Sequence, residues 1–580
     1  MILRNFTLYV MAVLSIHAVT AQDKYKNGVF ILNEDWFGKN NSTINFLNTG
    51  TKEFDYLLIE DNSENENLSL GCTAQFGAIY GDNLYVISKQ DQDKGEGYLK
   101  GGRVVVADAS TMKVKKSIPV IYEMNGKSAA DGRSFVGVNE NKGYIGTSNG
   151  IFILDLRTFE IKGRIEGTEN PKITGGEDNA SGLGPLYQNQ IGIMIRALDY
   201  VFAIQQDKGV LVIDPETDKV KQVISGCFST MTQSKDGNIW VGKNSNMDFQ
   251  TYPYGTFGAT GEKWEGNQLL KINPATLETS IVQLPALYGI NQTWYAWTAG
   301  SLCASAQNNR LYFTFNPNKW SWFTTSFLYM YDIDKNIFSK IYDSSDEERY
   351  FYGGAIRVNP LDDKIYASLY LDNVNQTYFF YQLDNQGKRL NQYEPIKRYW
   401  FPALFIFPDI HEPEVNEFAP VYLNNTQPYQ VDLTKMATDK DNLDMGITKK
   451  ILSVNNSKIK AEIKNNQLTI IPETSGIKNG EITVRFNSNG KIKDRKLYIN
   501  PTSWPPTSIP ELDTAPVKIL IKDHVICIKG LQDPIEVKVF NIYGQLVYSQ
   551  VIQNEGDIKG LSPGQIYIVN IGNKNYKVIL

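Results

Sequence analysis

Residues 189–226 read NQIGIMIRALDYVFAIQQDKGVLVIDPETDKVKQVISG and contain one complete structural unit. A first strand leads to the turn at Leu198 and Asp199, and two apolar strands follow. A polar strand completes the unit after the turn PETDK. Short apolar runs bounded by turn residues are typical of β-strands, so this stretch predicts a four-stranded antiparallel sheet.

The same pattern recurs along much of the chain. Related units occupy residues 76–120, 132–167, 227–285, 302–343 and 354–395. Each contains two apolar strands, such as KGYIGT and GIFILD, and a polar outer strand. The repeats vary in length, but repetition of such a unit indicates a β-propeller, in which radial repetition leaves only short sheet edges.

The first unit, residues 28–59, is incomplete. It has only three strands, GVFILNE, STINFLN and EFDYLLI. Its missing innermost strand can come from residues 401–408, FPALFIFP, which follow the last unit. Such a closure removes an open sheet edge. The sequence therefore predicts a seven-bladed β-propeller over residues 26–410.

Two smaller modules follow the repeats. Residues 411–418 predict a short acidic linker, and residues 419–500 alternate polar and apolar positions as in an Ig- or cadherin-like sandwich. Residues 501–516 contain five prolines and predict a stiff linker. Residues 517–580 predict a small C-terminal β-sandwich, so the fold class is all-β.

The chain begins with the features of a signal peptide, predicted over residues 1–21. Arg4 supplies a positive charge, residues 6–16 are apolar, and a small residue, Ala21, precedes the expected cleavage point. No later run of about 20 apolar residues predicts a transmembrane helix. We therefore expect an exported protein, on the cell outer surface or secreted.

Composition excludes several classes of function. The net charge is −5 and no basic cluster is present, which argues against nucleic-acid binding. After the signal peptide the only histidines are His411 and His524, outside the repeats, so the blades hold neither a His-based metal site nor a Ser-His-Asp triad. The four cysteines lack metal spacing, which favours buried thiols, with a Cys227–Cys303 bridge as the alternative. We predict no cofactor and no metal.

The two faces of the predicted propeller differ in loop length. Loops from strand two to strand three, and from each blade to the next, hold the long insertions, whereas the remaining turns are short. The long loops are residues 34–42, 89–101, 168–188, 243–267, 287–299, 316–326 and 343–353. Long loops on one face of a rigid scaffold usually carry function, so we predict the ligand on this face.

Aromatic residues concentrate in or beside these loops. Large side chains with a polar group suit a binding surface, although they also form small cores among packed loops. The predicted ligand-binding residues are Trp36, Phe37, Trp264, Trp294, Tyr295, Trp320, Trp322, Tyr350, Tyr352 and Trp400. Five of them come from different blades and are the expected anchors: Trp36, Trp294, Trp320, Tyr352 and Trp400. Of these, Trp294 and Tyr352 are expected just before innermost strands.

Three further groups of acidic residues each allow two interpretations. Glu34 with Asp35, and Glu347 with Glu348, fall on the loop-bearing face, where they are either solvated loop charges or the carboxylates of a glycosidase or lyase. A third group, Asp439, Asp441 and Asp444, forms either a polar turn or a calcium site of the cadherin type.

The ends of the repeat region resemble a known family. GVFILNEDWFGKNNSTINFL at residues 28–47 and RYWFPALFIFPD at residues 398–409 are similar to the two ends of exported Bacteroidetes propellers of the YncE-like type. That family includes BtuG-type surface cobalamin-binding proteins. The resemblance covers residues 26–410 and implies a corrinoid site that caps a TonB-dependent outer-membrane transporter. Those members look like lipoproteins, whereas this chain lacks a lipobox cysteine.

The C-terminus offers a reason for that difference. VKVFNIYGQLVYSQ, DIKGLSPGQIYIVNI and YKVIL look like a type IX secretion sorting domain, and a plain Ig-like module is the alternative. The matching positions are Val539, Asn541, Gly544, Gln545, Leu561, Gly564 and Tyr567. The resemblance implies export across the outer membrane.

We therefore expect a cell-surface binding protein, not an enzyme. Its best single ligand is a corrinoid such as cobalamin, captured for a TonB-dependent transporter. The alternatives are a scaffold that grips a glycan or a partner protein, and a propeller enzyme that uses carboxylates.

Overall fold

A computed structural model gives the structure of this protein. It describes residues 24–35, 40–91, 101–175, 189–206, 208–226, 228–243, 268–285, 301–315, 325–372, 377–397, 401–502, 518–522, 524–531, 534–572 and 574–580. The chain divides into two compact units, residues 1–500 and residues 501–580.

The larger part of the first unit consists of short antiparallel strands. They are β1 (Gly28–Asn33), β2 (Thr43–Asn48), β3 (Phe54–Asp55), β4 (Cys72–Tyr80), β5 (Asn83–Gln90), β6 (Val104–Asp108), β7 (Val114–Ile118), β8 (Glu123–Met124), β9 (Lys127–Ser128), β10 (Gly132–Asn139), β11 (Lys142–Thr147), β12 (Gly150–Asp155), β13 (Glu160–Arg164), β14 (Ile191–Ala197), β15 (Tyr200–Gln205), β16 (Gly209–Asp214), β17 (Lys219–Ser225), β18 (Phe228–Gln233), β19 (Ile239–Lys243), β20 (Gln268–Ile272), β21 (Thr279–Gln283), β22 (Cys303–Ala304), β23 (Arg310–Phe315), β24 (Phe327–Asp332), β25 (Ile337–Asp343), β26 (Tyr350–Val358), β27 (Ile365–Asp372), β28 (Thr377–Leu383), β29 (Arg389–Tyr393) and β30 (Pro402–Ile406). A short 3-10 helix spans Ser345–Glu347.

Twenty-eight of these strands form seven four-stranded antiparallel sheets, an arrangement consistent with propeller blades, and β8 pairs with β9 in a separate two-stranded sheet. We number them blade 1 (β30-β1-β2-β3), blade 2 (β4 to β7), blade 3 (β10 to β13), blade 4 (β14 to β17), blade 5 (β18 to β21), blade 6 (β22 to β25) and blade 7 (β26 to β29). The first strand of each blade contacts the first strand of the next, and β26 contacts β30, so the innermost strands close a ring.

The closing strand lies where the sequence predicted it. β30 pairs antiparallel with β1, with Phe30 opposite Ile406, Ile31 opposite Phe405 and Leu32 opposite Leu404. Every residue of β30 is buried. Because both ends of the repeat region share one sheet, neither end leaves an unpaired inner edge.

A large aromatic residue recurs near the middle of the second strand of every blade and fills the space between neighbouring sheets. These residues are Phe30, Tyr85, Tyr144, Phe202, Trp240, Tyr312 and Tyr366, and all are buried. Packed sheets stand about 10 Å apart, a gap that large side chains fill efficiently. The repeat is therefore visible in the core as well as in the strand order.

The rest of the first unit, residues 414–500, is here called the middle module. Its strands are β31 (Glu414–Val415), β32 (Tyr429–Asp432), β33 (Ala437–Thr438), β34 (Thr448–Val454), β35 (Ile459–Lys464), β36 (Gln467–Pro472), β37 (Gly480–Ser488) and β38 (Lys491–Ile499), with a short 3-10 helix at Asp444–Gly446. They form a β31-β33 pair and the sheets β32-β36-β35 and β34-β37-β38. Residues 411–418 do not form the separate linker that we expected, because β31 pairs with β33 and Phe418 is buried in the core of the module.

The middle module packs against the short turns of the ring. At blade 2 the main-chain amide of Gly81 donates to Asn489 O at 2.8 Å, and a Cβ on Gly490 would lie 2.4 Å from Gly81 N. At blade 3 the Arg485 guanidinium pairs with Glu140 at 3.0 Å. Because a Cβ at position 490 would clash with the main chain of Gly81, only glycine fits at that position.

The contact extends to blades 4 and 5. The main-chain amide of Asn465 donates to Asp199 Oδ2 at 3.1 Å, and its side chain donates to Ala275 O at 3.3 Å. Asp199 belongs to the turn between β14 and β15, and Ala275 to the turn between β20 and β21. The module thus covers the turns of four neighbouring blades.

The second unit, residues 501–580, is also built from strands. They are β39 (Lys518–Lys522), β40 (Val525–Lys529), β41 (Ile535–Asn541), β42 (Leu546–Ile552), β43 (Glu555–Ile558), β44 (Ile566–Ile571) and β45 (Lys574–Ile579). They form the sheets β39-β40-β43 and β42-β41-β44-β45 around their own hydrophobic core. Among all the residues described, no helix has the length and apolarity that crossing a membrane requires.

The described cysteines carry free thiols. Cys72 and Cys303 are buried, and Cys527 is partly exposed. Cys303 therefore does not form the alternative bridge to Cys227, a residue outside the described part. Burial raises the pKa of the Cys303 thiol to about 12, which keeps it protonated and inert.

Candidate functional site

The channel of the ring has two unlike ends. The turns covered by the middle module join strands one and two, or strands three and four, of a blade. In an antiparallel blade the other two classes of connection lie at the opposite end. We call this opposite end the loop-bearing end, because it carries the long insertions found in the sequence.

Most of the predicted aromatic residues cannot be placed. Outside the described residues lie Trp36, Phe37, Trp264, Trp294, Tyr295, Trp320, Trp322 and Trp400. Tyr350 and Tyr352 are described. The prediction that the other eight contact a ligand therefore stays a prediction.

We expected Tyr352 just before an innermost strand, but it lies inside one. It belongs to β26, which begins at Tyr350. Its ring packs against Phe401 at a centroid distance of 5.7 Å and against Tyr370 at 6.2 Å. With only 6% of its surface exposed, Tyr352 belongs to a small aromatic core at this end of the ring, and Tyr350 packs against that core.

The hydroxyl of Tyr352 leads to a cluster of polar side chains at the channel mouth. We call it the mouth cluster, and it consists of Glu34, Gln75, Lys89, Asp131, Arg133, Gln190 and Tyr352. These residues end second strands or begin first strands, so five blades bring them to the loop-bearing end. The cluster combines both charges, amide groups and a phenol in one place.

Glu34 is the first centre of the mouth cluster. Its carboxylate accepts hydrogen bonds from Gln75 Nε2 at 2.9 Å and from the Tyr352 hydroxyl at 2.8 Å. Burial raises the pKa of Glu34, and the charge of Lys89 opposes that shift. Burial also lowers the pKa of Lys89 to about 7, although Glu34 acts to raise it. Burial thus disfavours the charged form of each residue, and the opposite charge of its neighbour favours that form.

Asp131 is the second centre. Its carboxylate lies 3.6 Å from Arg103 Nε and 3.8 Å from Arg133 Nη2, and its side chain is 1% exposed. Burial raises the pKa of Asp131, while Arg133 and Arg103 act to lower it. Arg133 Nε also donates to Gln190 Oε1, which carries the network to blade 4.

The sequence did not predict the mouth cluster, because its members are single polar residues at the ends of separate strands, far apart in the chain. A usable signal exists. Glu34, Lys89 and Gln206 end apolar second strands, and Gln190 opens a first strand. In the sequence, the signal is a polar residue that recurs at the same end of several apolar strands. Such residues indicate the mouth of a channel.

The two predicted carboxylate pairs have structural partners. Asp35 is buried and accepts from Thr43 Oγ1 at 2.8 Å, so Glu34 and Asp35 are not solvated loop charges, the first of the two interpretations of this pair. Glu347 accepts from the Tyr342 hydroxyl at 2.7 Å and pairs with Arg389 at 2.7 Å. These contacts lower the pKa of Glu347 despite its partial burial.

The aspartates considered for calcium lie in the middle module. Asp409, Asp439 and Asp441 each place a carboxylate oxygen within 4.8 Å of the others. Asp444 is not among them, and its Oδ1 accepts from the Asp439 amide at 2.9 Å. Asp409 already pairs with a buried cation, Lys491, at 2.8 Å.

A family comparison covers the ring of blades. A family model described as a domain of unknown function, DUF5074, matches residues 27–408. The chain belongs to the DUF5074 family. The DUF5074 match begins just before β1 and ends just after β30, so the family domain includes both partners of the closure and the whole mouth cluster. A comparison with curated proteins found no match.

The solved structures similar to this DUF5074 protein are distant. A quinonprotein alcohol dehydrogenase-like protein of Bacteroides thetaiotaomicron is 14% identical, with a TM-score of 0.43 over 66% of this chain and 78% of its own. The extracellular domain of a hybrid two-component system of the same organism is 13% identical, with a TM-score of 0.35 over 96% and 55%. PorZ, a surface component of the type IX secretion system of Porphyromonas gingivalis, is 11% identical, with a TM-score of 0.28 over 96% and 74%.

Proposed function

We propose that this chain is an exported ligand-binding protein of the cell surface, built on a seven-bladed β-propeller, which binds its ligand at the loop-bearing end. The observation that carries the proposal is the position of the middle module, here taken as an Ig- or cadherin-like sandwich. It covers the turns of blades 2 to 5, so the mouth cluster faces the end of the channel that the module leaves open.

The chemistry of the mouth cluster supports a ligand with many hydrogen-bonding groups. The cluster brings together cationic groups in Arg133 and Lys89, amides in Gln75 and Gln190, and a carboxylate in Glu34. A corrinoid combines a large ring system with amide groups along its edge. The polar side chains at the mouth match the amide groups, and the aromatic residues that the sequence predicts for the long loops match the ring system. A corrinoid such as cobalamin is therefore the ligand we propose.

The protein would hand this ligand to a TonB-dependent outer-membrane transporter, and the unit at residues 501–580 would serve as a type IX sorting domain. We propose no catalysis, because the carboxylates near the mouth are bound to structural partners. Carbohydrate hydroxyls would also find partners in the mouth cluster, so a glycan is the second ligand class to be tested.

Cobalamin binding to the purified protein tests the proposal. We expect a coloured, retained fraction after gel filtration, and a titration that saturates at one ligand per chain. Arg133→Gln should weaken binding at least about tenfold, because it removes donors at the mouth. Arg485→Gln, at the covered end, is the matched control and should bind as the unchanged protein does.

The outcomes separate the ligand classes. No retained cobalamin together with binding on an oligosaccharide array would replace the corrinoid by a glycan. Equal loss of binding in both variants would place the ligand away from the mouth.

A further inference from the structure

A chamber lies between the ring and the middle module, at the covered end of the channel. Its volume is about 390 Å³, and its walls include Phe76 and Ile79 from blade 2, Arg357 and Val358 from blade 7, and Leu443 and Asn489 from the middle module. The chamber is separate from the mouth cluster, and none of the residues named here belongs to that cluster. Any use of this chamber is independent of the ligand proposed at the mouth.

Arg357 is the one cationic side chain in the described wall of this chamber. Its Nη1 donates to Gly354 O at 2.9 Å and to Ile356 O at 2.7 Å. A guanidinium group has five N–H donors. The three on Nε and Nη2 have no acceptor among the described residues. The side chain of Arg357 is part of the chamber wall.

No carboxylate compensates this charge within the described part of the chain. Arg357 forms no ion pair there, and burial lowers its pKa, with only the Cys303 thiol opposing the shift. Removing a cation from water without a counterion costs free energy, and a bound anion offsets that cost.

The acidic residues in the chamber wall are bound elsewhere. Asp409 pairs with Lys491 at 2.8 Å and accepts from Asn489 Nδ2 at 2.7 Å. Asp441 accepts from the main-chain amides of Ile410 and His411 at 2.6 and 2.5 Å. Neither carboxylate reaches Arg357, and the charge of each already has partners.

We infer that this chamber binds a small organic carboxylate on the free Nε–Nη2 edge of Arg357. That edge holds two parallel donors, the geometry that binds a carboxylate through both oxygens. The apolar body of the ligand would rest on Phe76, Ile79 and Leu443. Benzene fits an engineered cavity of about 150 Å³, so a chamber of about 390 Å³ accommodates an aromatic ring that bears a carboxylate.

Calorimetric titration with sodium benzoate tests this inference. Sodium phosphate supplies an inorganic anion, and sodium chloride matches the ionic strength. We expect benzoate to bind one site, and phosphate and chloride to bind at least about tenfold more weakly. Arg357→Gln should weaken benzoate binding at least about tenfold, because a neutral amide cannot replace a charge-assisted pair of hydrogen bonds.

Arg196 supplies the matched control. It lines the neighbouring chamber, its Nη1 donates to the carbonyls of Leu198 and Tyr200, and the charge of Asp199 supports it. Arg196→Gln should therefore leave benzoate affinity within about twofold. Equal loss in the two variants, or unchanged affinity in Arg357→Gln, would overturn the assignment.

A crystal of the unchanged protein with 4-bromobenzoate does not depend on any variant. The carboxylate should lie against Arg357, with the anomalous signal of bromine inside the chamber. Bromine found only elsewhere would overturn the inference, as would the absence of benzoate binding in solution. Phosphate binding as tight as benzoate would make this an inorganic anion site and would overturn the organic ligand class.

Discussion

The hydroxyl of Tyr352 donates a hydrogen bond of 2.8 Å to Oε1 of Glu34, a residue 318 positions earlier in the chain. Tyr352 belongs to blade 7 and Glu34 follows β1 of blade 1. The bond therefore crosses the junction where the two ends of the repeat region meet. The same junction is closed by the pairing of β1 with β30, so one polar contact at the mouth accompanies the closure of the ring.

Tyr352→Phe should lower the free energy of unfolding by about 1–2 kcal/mol. The ring stays in its aromatic core, whereas Glu34 loses one of its two described hydrogen bonds inside a buried site. Denaturation with guanidinium chloride measures the change. Tyr350→Phe is the control, because no described hydrogen bond involves its hydroxyl. A loss no larger than that of the control would show that the bond adds nothing to stability.

Leu404→Asp should prevent cooperative folding of the ring. Leu404 is 4% exposed and lies opposite Leu32 in the closing strand, so an unpaired charge there has no partner. The circular dichroism melt should lose its sharp transition. Ile396→Asp is the control, since Ile396 is 55% exposed and lies shortly before the strand. A variant that melts like the control would rule out the closure as a source of stability.

Trp240→Ala should lower the free energy of unfolding by about 3–5 kcal/mol. Trp240 is 1% exposed, packs edge-on against Tyr331 at 5.6 Å, and its indole N–H donates to Ser234 Oγ at 2.9 Å. The substitution leaves a large cavity between blades 5 and 6. Trp240→Phe, which keeps most of the ring, should lose clearly less. Chemical denaturation of the two variants side by side decides the point.

Lys89→Met should change how stability depends on pH. Burial lowers the pKa of Lys89 from 10.5 to about 7. Between these values the unfolded chain binds a proton that the folded chain does not, so Lys89 makes stability rise as pH increases from about 7 to 10. Denaturation midpoints across this range should rise less in the variant. Parallel curves for both proteins would contradict the lowered pKa.

Removal of residues 501–580 should leave the first unit folded. The two units have separate cores, so the truncated protein should keep the same denaturation midpoint within experimental error. If the second unit is a sorting domain, the truncated protein should remain in the periplasm when expressed in its native host. Surface labelling of cells measures this, and undiminished labelling would reject the sorting role.

The ring could be predicted from sequence because its evidence is local and repeated. FPALFIFP at residues 401–408 is a short apolar run with no partner nearby, and the incomplete first unit supplied that partner. The second strands, each with at least one large aromatic residue, repeat the same signal. Patterns of this kind need no knowledge of long-range packing.

The residues at the channel mouth could not be predicted from local sequence patterns in the same way. Tyr352 was predicted as an exposed anchor in a loop, but the strand begins at Tyr350 and buries its ring against Phe401. Solvated loop charges were one of the two interpretations of Glu34 and Asp35, but Gln75 and Tyr352 enclose the carboxylate of Glu34. Both outcomes depend on contacts between neighbouring blades whose residues are far apart in the sequence. Strand boundaries and burial at the mouth are set by those contacts and not by local sequence.

The middle module lies on the turns of blades 2 to 5, at the end of the ring opposite the mouth cluster. In the proposed function, a ligand bound at the mouth would enter and leave at the loop-bearing end. A protein that receives a molecule held at the mouth must therefore approach the very surface that holds it. The receiving protein would compete with the side chains at the mouth for the same groups of the ligand. Contacts that slow release of the ligand would therefore also slow its transfer.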